Sequence, residues 1–315
     1  MAFGGNPVFR GKTFKGAVAT AQPPVPHAQD QSPYVKGQNP YGANPYGQGT
    51  YGQTPYGQTP YGQGFQQPMS ADQLDALYRS PAASPAETGR MTYDDVIVKT
   101  LACLGFVVVG AAVTLAVPAG AAMGLTLLGA IGGFVLAMVN TFKREPVAGL
   151  ILAYAGLEGL FLGGLTRLID ALAPGVGLQA VLGTLVVAGV TLGLYKSGKV
   201  RATPGLAKFL MIALVSYLAF SLVNVVIMFA NPSMGAWGLR SSVHLFGIPL
   251  GVIVGLFAVV LAAISLIFDF NSVEQGVRAG APRGYAWTAA FGLTVTLVWL
   301  YTEILRLLAI FNSND

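Results

Sequence analysis

Charge is scarce in this sequence: only 10% of its 315 residues are Asp, Glu, Lys or Arg, where a soluble domain is nearer a quarter charged. A chain so poor in charge and 53% hydrophobic, with a mean hydropathy of +0.59, belongs mostly in lipid. Cysteine is nearly absent. The single Cys103 excludes an intrachain disulfide and a cysteine-based metal site, and reads as a small core residue. Histidine is almost as rare, and the only one among the apolar runs, His244, sits at the outer edge of its run, where it reads as an interfacial residue rather than a base or pH switch. A rhomboid-like serine protease therefore lacks its helical histidine. An intramembrane aspartyl protease lacks the second aspartate, which needs a Gly-x-Gly-Asp context. With no strands there is no strand followed by a phosphate loop or dinucleotide glycine pattern. An enzyme is not expected. The net charge of +5 and pI near 9.3 do not indicate nucleic acid, because the basic residues lie between apolar runs and report orientation instead.

Met1 to residue 69 is rich in Gly, Pro, Gln, Asn and Tyr and short of aliphatics. Such composition cannot offset the entropy of ordering. Tyr41, Tyr46, Tyr51, Tyr56 and Tyr61 recur every five residues, a period of neither helix nor strand. The expectation is a disordered tail that serves as a solvated spacer or recruits protein partners through its aromatic rings. No apolar run precedes it, so the first span is expected to direct insertion. Residues 70–91 form a linker, in which Ser70 and Gln73 make a capping box for a short helix, Ala71 to about Arg79, halted by Pro81 and Pro85. A second capping signal, Thr92 to Asp95, opens the membrane domain, 92–315.

Seven apolar runs follow, at about 96–117, 121–141, 147–168, 176–195, 207–230, 244–268 and 285–311. Each approaches or exceeds the roughly 20 residues a helix needs to cross the hydrocarbon core, whereas a strand would need about ten that alternate. The fold class is an all-α integral membrane protein, a seven-helix bundle whose short connections make sequence neighbours antiparallel. The segment Asn271 to Arg283 is expected to turn the chain between the last two runs. Lys143, Arg144, Lys196, Lys199, Arg201, Lys208, Arg278 and Arg283 fall on the tail's side, against Arg167, Arg240 and Arg306 on the other. That bias puts the N-terminus in the cytoplasm and the C-terminus outside, in a plasma membrane. Glycines at four-residue spacing, Gly120/Gly124, Gly129/Gly133, Gly159/Gly163, Gly189/Gly193 and Gly247/Gly251/Gly255, provide faces on which helices approach closely.

Polar residues inside the runs are the informative ones, because each charge costs roughly 2.5–3.5 kcal/mol at a bilayer centre on insertion scales. Glu158 lies in the third run, Asn224 in the fifth and Glu303 in the seventh; these are the candidate pore or ion-binding residues. Asp269 closes the sixth run at the tail's side. Glu303 stands one turn before Arg306, with which it can form a structural pair, while Glu158 has no basic neighbour in its own run. Asp269 and Glu158 are candidate calcium ligands, carboxylates being the hard oxygen donors this ion prefers.

Leu266 to Asn271, followed by Val273 and by the closing run Glu303 to Asp315, resembles the Bax inhibitor-1 (transmembrane BAX inhibitor motif) family, and its bacterial members most. The resemblance covers about Thr92 to Asp315. It implies a seven-helix protein that leaks calcium down its gradient under pH control, or that regulates cell death or membrane proteolysis, with calcium as permeant ion and no cofactor. It also implies a sensor of two aspartates, late in the sixth helix and in the seventh, which share a proton because two close carboxylates do not both ionise cheaply. Asp269 matches the first. The second position, ten residues before Arg306, is Thr296. Either Thr296 donates a hydrogen bond to Asp269, or Glu158 or Glu303 supplies the partner. The competing expectation is a non-conducting membrane adaptor whose acids are structural.

Overall fold

The computed structural model describes residues 88–231 and 237–312. The repeat tail and the short helix expected at Ala71 to Arg79 lie outside them.

Seven long helices are present among the described residues: α1 Tyr93–Ala116, α2 Ala119–Phe142, α3 Ala148–Asp170, α4 Val176–Lys196, α5 Pro204–Ala230, α6 Leu250–Arg278 and α7 Ala286–Asn312. All are long and apolar enough to cross a membrane. Local chemistry sets their ends. The Thr92 hydroxyl caps α1 by accepting from Asp95 N at 3.1 Å and donating to the Asp95 carboxylate at 2.9 Å, so orphan donors of the first turn are satisfied. Pro118, which cannot continue a helix, separates α1 from α2. Thr203 caps α5, with Pro204 in its first turn. At the far end of α1, Arg167 of α3 donates to the carbonyl of Val117 at 2.5 Å, closing a helix terminus with a cation where the dipole favours one.

α6 departs from expectation. Residues 244–249 are not helical but form a β-hairpin, β1 His244–Leu245 paired with β2 Ile248–Pro249, and Asn271 to Arg278, expected as a turn, remain helical. Phe246 and Gly247, both at positive φ, reverse the chain before Pro249, whose fixed φ suits the residue preceding a helix. Beyond Asp269, the i,i+4 pair of Glu274 and Arg278 supports two further turns, which end at Gly280, with φ +65°, and Pro282. The last turn therefore comes a good deal later than the apolar run alone implies, and Asp269 sits inside the helix rather than at its end.

α7 is the centre of the bundle. Half of its central window is buried, against 17% for α5. One cluster joins it to α1 and α3 through Cys103, Val107, Ala155, Leu162 and Phe291. A larger one joins it to α4 and α6 through Ala180, Ala262, Leu266, Ala289, Leu300 and Leu305. α5 leans on α6 through Leu210, Leu261 and Phe268. Outward residues such as Val108, Ile131, Val186, Ile212 and Val226 are exposed, as a lipid-facing surface demands.

Glycine decides how tightly α3 sits between α1 and α2. A Cβ on Gly159 or Gly163 would strike the backbone of Val107 or Ala111, and one on Gly129 would lie 2.5 Å from Leu157 O. Gly251 and Gly255 receive Ile310 and Leu307 of α7. Gly120, Gly124, Gly189 and Gly193 have nothing within 4 Å, so those two motifs contribute no contact among the described residues.

A short strap precedes α1. Arg90 bridges Pro282 in antiparallel fashion; Met91 N donates to Ala281 O at 2.7 Å and Arg283 N to Gly89 O at 2.8 Å. Arg283 pairs with Asp95 at 2.8 Å, Lys99 donates to Arg283 O, and Met91 is buried against the α6–α7 turn.

Candidate functional site

α6 and α7 run antiparallel from the Gly280–Pro282 turn, and Ala262 of α6 and Ala289 of α7, wholly buried in the cluster that joins the two helices, are small enough to allow a close approach. That close approach brings Asp269 and Thr296 together. Thr296 Oγ1 donates to Asp269 Oδ2 at 2.6 Å, and the two residues are 0% and 3% exposed. A buried carboxylate needs partners to remain charged, and a hydroxyl can donate to it or accept from its protonated form. The pair is a hydrogen-bonded contact between two spanning helices. Of the arrangements the sequence left open, this one is formed.

Glu303, two turns further along α7, is committed elsewhere. Arg306 Nη1 donates to its Oε2 at 2.9 Å and Oε1 at 3.0 Å, and Trp299 Nε1 to Oε1 at 3.2 Å. The Tyr217 hydroxyl of α5 also donates to Oε1, and accepts at 3.1 Å from both Arg306 and Arg240. Arg240 lies in a one-turn helix, Leu239–Ser242, yet is 4% exposed: it donates to Ser221 at 3.1 Å and stacks its guanidinium on the Tyr217 and Phe220 rings. The pair of Glu303 and Arg306 is thus part of a larger network spanning α5, the α5–α6 connection and α7.

Asn224 belongs to the same end. Its amide oxygen accepts from Leu239 N at 2.8 Å and its nitrogen donates to Trp237 O at 3.3 Å, pinning the connection onto α5. Tyr217, Ser221 and Asn224 follow at helical i, i+4, i+7 spacing on one face. That polar stripe could have been read from the sequence; the inward turn of Arg240 could not, because its position between runs suggests only a solvated cation.

Glu158 stands apart. Its Oε2 would lie 3.0 Å from a Cβ on Gly133, so the missing side chain on α2 makes room for this half-buried carboxylate. No hydrogen bond or ion pair reaches it among the described residues. One turn earlier Tyr154 packs edge-on against Phe291 of α7, centroids 5.0 Å apart. Among the described residues no group of three His, Cys, Asp or Glu could hold a metal ion; Asp269 and Glu158 do not come together as part of one.

A further acid, missed from the sequence as a site, is Glu274, which accepts from Tyr195 of α4 and pairs with Arg278, tying α4 to the end of α6 opposite the Glu303 network.

Seven apolar helices among the described residues, with a buried hydroxyl–carboxylate contact between the last two, define a multi-pass membrane protein. The family model described as Bax inhibitor 1 like matches residues 6–313, and the chain belongs to that family. A comparison with curated proteins returns no match.

Proposed function

We propose that the protein is a non-enzymatic, pH-responsive leak for calcium or a similar cation, gated at the α6–α7 contact. The observation that carries this reading is the 2.6 Å bond from Thr296 to Asp269. As a carboxylate, Asp269 accepts a charge-assisted bond; on protonation the bond becomes neutral and weaker. Acid therefore loosens the hold of α6 on α7, and flux rises as pH falls. Glu158, which no hydrogen bond or ion pair reaches among the described residues, offers the oxygen that attracts a passing cation. In this reading the N-terminus is cytoplasmic, the C-terminus is extracytoplasmic, the host is a plasma membrane, and the tail recruits protein partners.

The test is calcium flux into vesicles containing the full chain, across pH, with Asp269→Asn and Glu158→Gln beside the parent. Flux that depends on pH in the parent and loses that dependence in Asp269→Asn supports the reading; absence of flux from folded protein overturns it. A second reading, a non-conducting adaptor for a membrane protease or envelope machinery, is favoured by Glu303, whose carboxylate is wholly engaged in holding helices together.

A further inference from the structure

The connection between α5 and α6 ends in a feature the ion-leak reading does not use. The two-residue pairing of His244–Leu245 with Ile248–Pro249 leaves Phe246 and Gly247 as the turn. Both have left-handed backbones, φ 55° and 80°, as a type I′ hairpin requires. Asn or Gly is the ordinary choice at the first position, and a bulky aromatic there is strained. The strain holds a ring at the tip, where it is 95% exposed. Val243, Leu245 and Ile248 beside it are also exposed, and nothing from Ser242 to Pro249 carries a fixed charge.

The geometry points to a membrane anchor: the hairpin tip dips into the interfacial layer of the same bilayer that α5 and α6 span. Three observations select lipid as the occupant. Leu250 N donates to Val243 O at 2.8 Å, so the hairpin is fixed to the first residue of a spanning helix and lies at the membrane boundary. The spanning helices on either side of the connection expose apolar side chains near the ends that meet it, Phe229 of α5 and Ile253 and Leu256 of α6. A two-stranded hairpin has open edges whose backbone groups still need water, and an aromatic-tipped, uncharged ribbon suits the layer where apolar and hydrated groups meet. The rear of the connection is pinned by Asn224 and Arg240, so the tip is presented by a fixed base.

The experiment uses the full chain with Cys103→Ala, reconstituted in phosphatidylcholine–phosphatidylglycerol vesicles and spin-labelled at Phe246→Cys. Labels at Val226→Cys and Lys199→Cys, both exposed in the fold, serve as lipid and water references. Collision with oxygen several-fold more frequent, relative to a water-soluble nickel chelate, than at Lys199, and approaching the Val226 value, is the expected result. A Phe246 label that matches Lys199 overturns the proposal, as does dipolar broadening between copies, which would mean a second chain covers the tip. Leu245→Cys, on the neighbouring strand, provides the same readout without altering the strained position.

Discussion

Arg240 and Glu303 face each other across 3.9 Å inside the bundle, although one comes from a connection between helices and the other from the most buried helix. Their relation makes the α5–α6 connection part of the core. Replacing Glu303 by Gln leaves Arg240 and Arg306 together without their counter-charge, and breaking a buried pair in this way costs about 3–5 kcal/mol. A marked fall in thermal midpoint in detergent is expected for Glu303→Gln, with a smaller one for Tyr217→Phe. An unchanged midpoint for both would show that the network contributes no stability.

Glu158→Gln should behave oppositely. Among the described residues the carboxylate has no bonded partner to lose, and it sits in a space left by Gly133, so the neutral isostere is expected to hold or raise the thermal midpoint while reducing cation flux. Destabilisation with unaltered flux would remove Glu158 from the pathway.

Thr296 invites a two-way test. Thr296→Val keeps the shape but withdraws the hydroxyl from Asp269, and is expected to raise flux at neutral pH and flatten its pH profile. Thr296→Asp creates two facing carboxylates, which titrate as a unit, and should move the onset of acid activation to higher pH. Identical profiles for parent, Val and Asp would remove this contact from gating.

Packing predictions separate the glycines. Gly159→Ala drives a methyl into the Val107 backbone, and overpacking of this kind costs about 1–3 kcal/mol or more. Gly193→Ala meets nothing within 4 Å and removes a poor helix former, so stability should hold or rise slightly. Urea or thermal unfolding in detergent distinguishes the two; equal effects would contradict the close contact of α1 with α3.

Much of the bundle was legible because a spanning helix announces itself by length and uniform apolarity, and the caps at Thr92 and Thr203 obey local rules. The sixth helix was misplaced for a physical reason. Hydropathy marks where lipid lies, not where hydrogen bonding stops, so Asn271 to Arg278 continue the helix past the apolar run, and His244 to Pro249 are apolar without being helical. The family resemblance placed Thr296 opposite Asp269 but left Glu158 and Glu303 as alternative partners; the hydrogen bond from Thr296 is the one the fold forms. The partners of Glu303 beyond Arg306 were not legible, because Tyr217 and Arg240 reach it only once α5 and its connection are folded against α7.

The strap ahead of α1 places the N-terminal segment and the α6–α7 turn mechanically in series. Tension applied at residues before Gly89 meets the bonds from Met91 to Ala281 and from Arg283 to Gly89 before it reaches α1. A pull transmitted to Gly89 thus tugs first on the corner joining the two helices that carry Asp269 and Thr296.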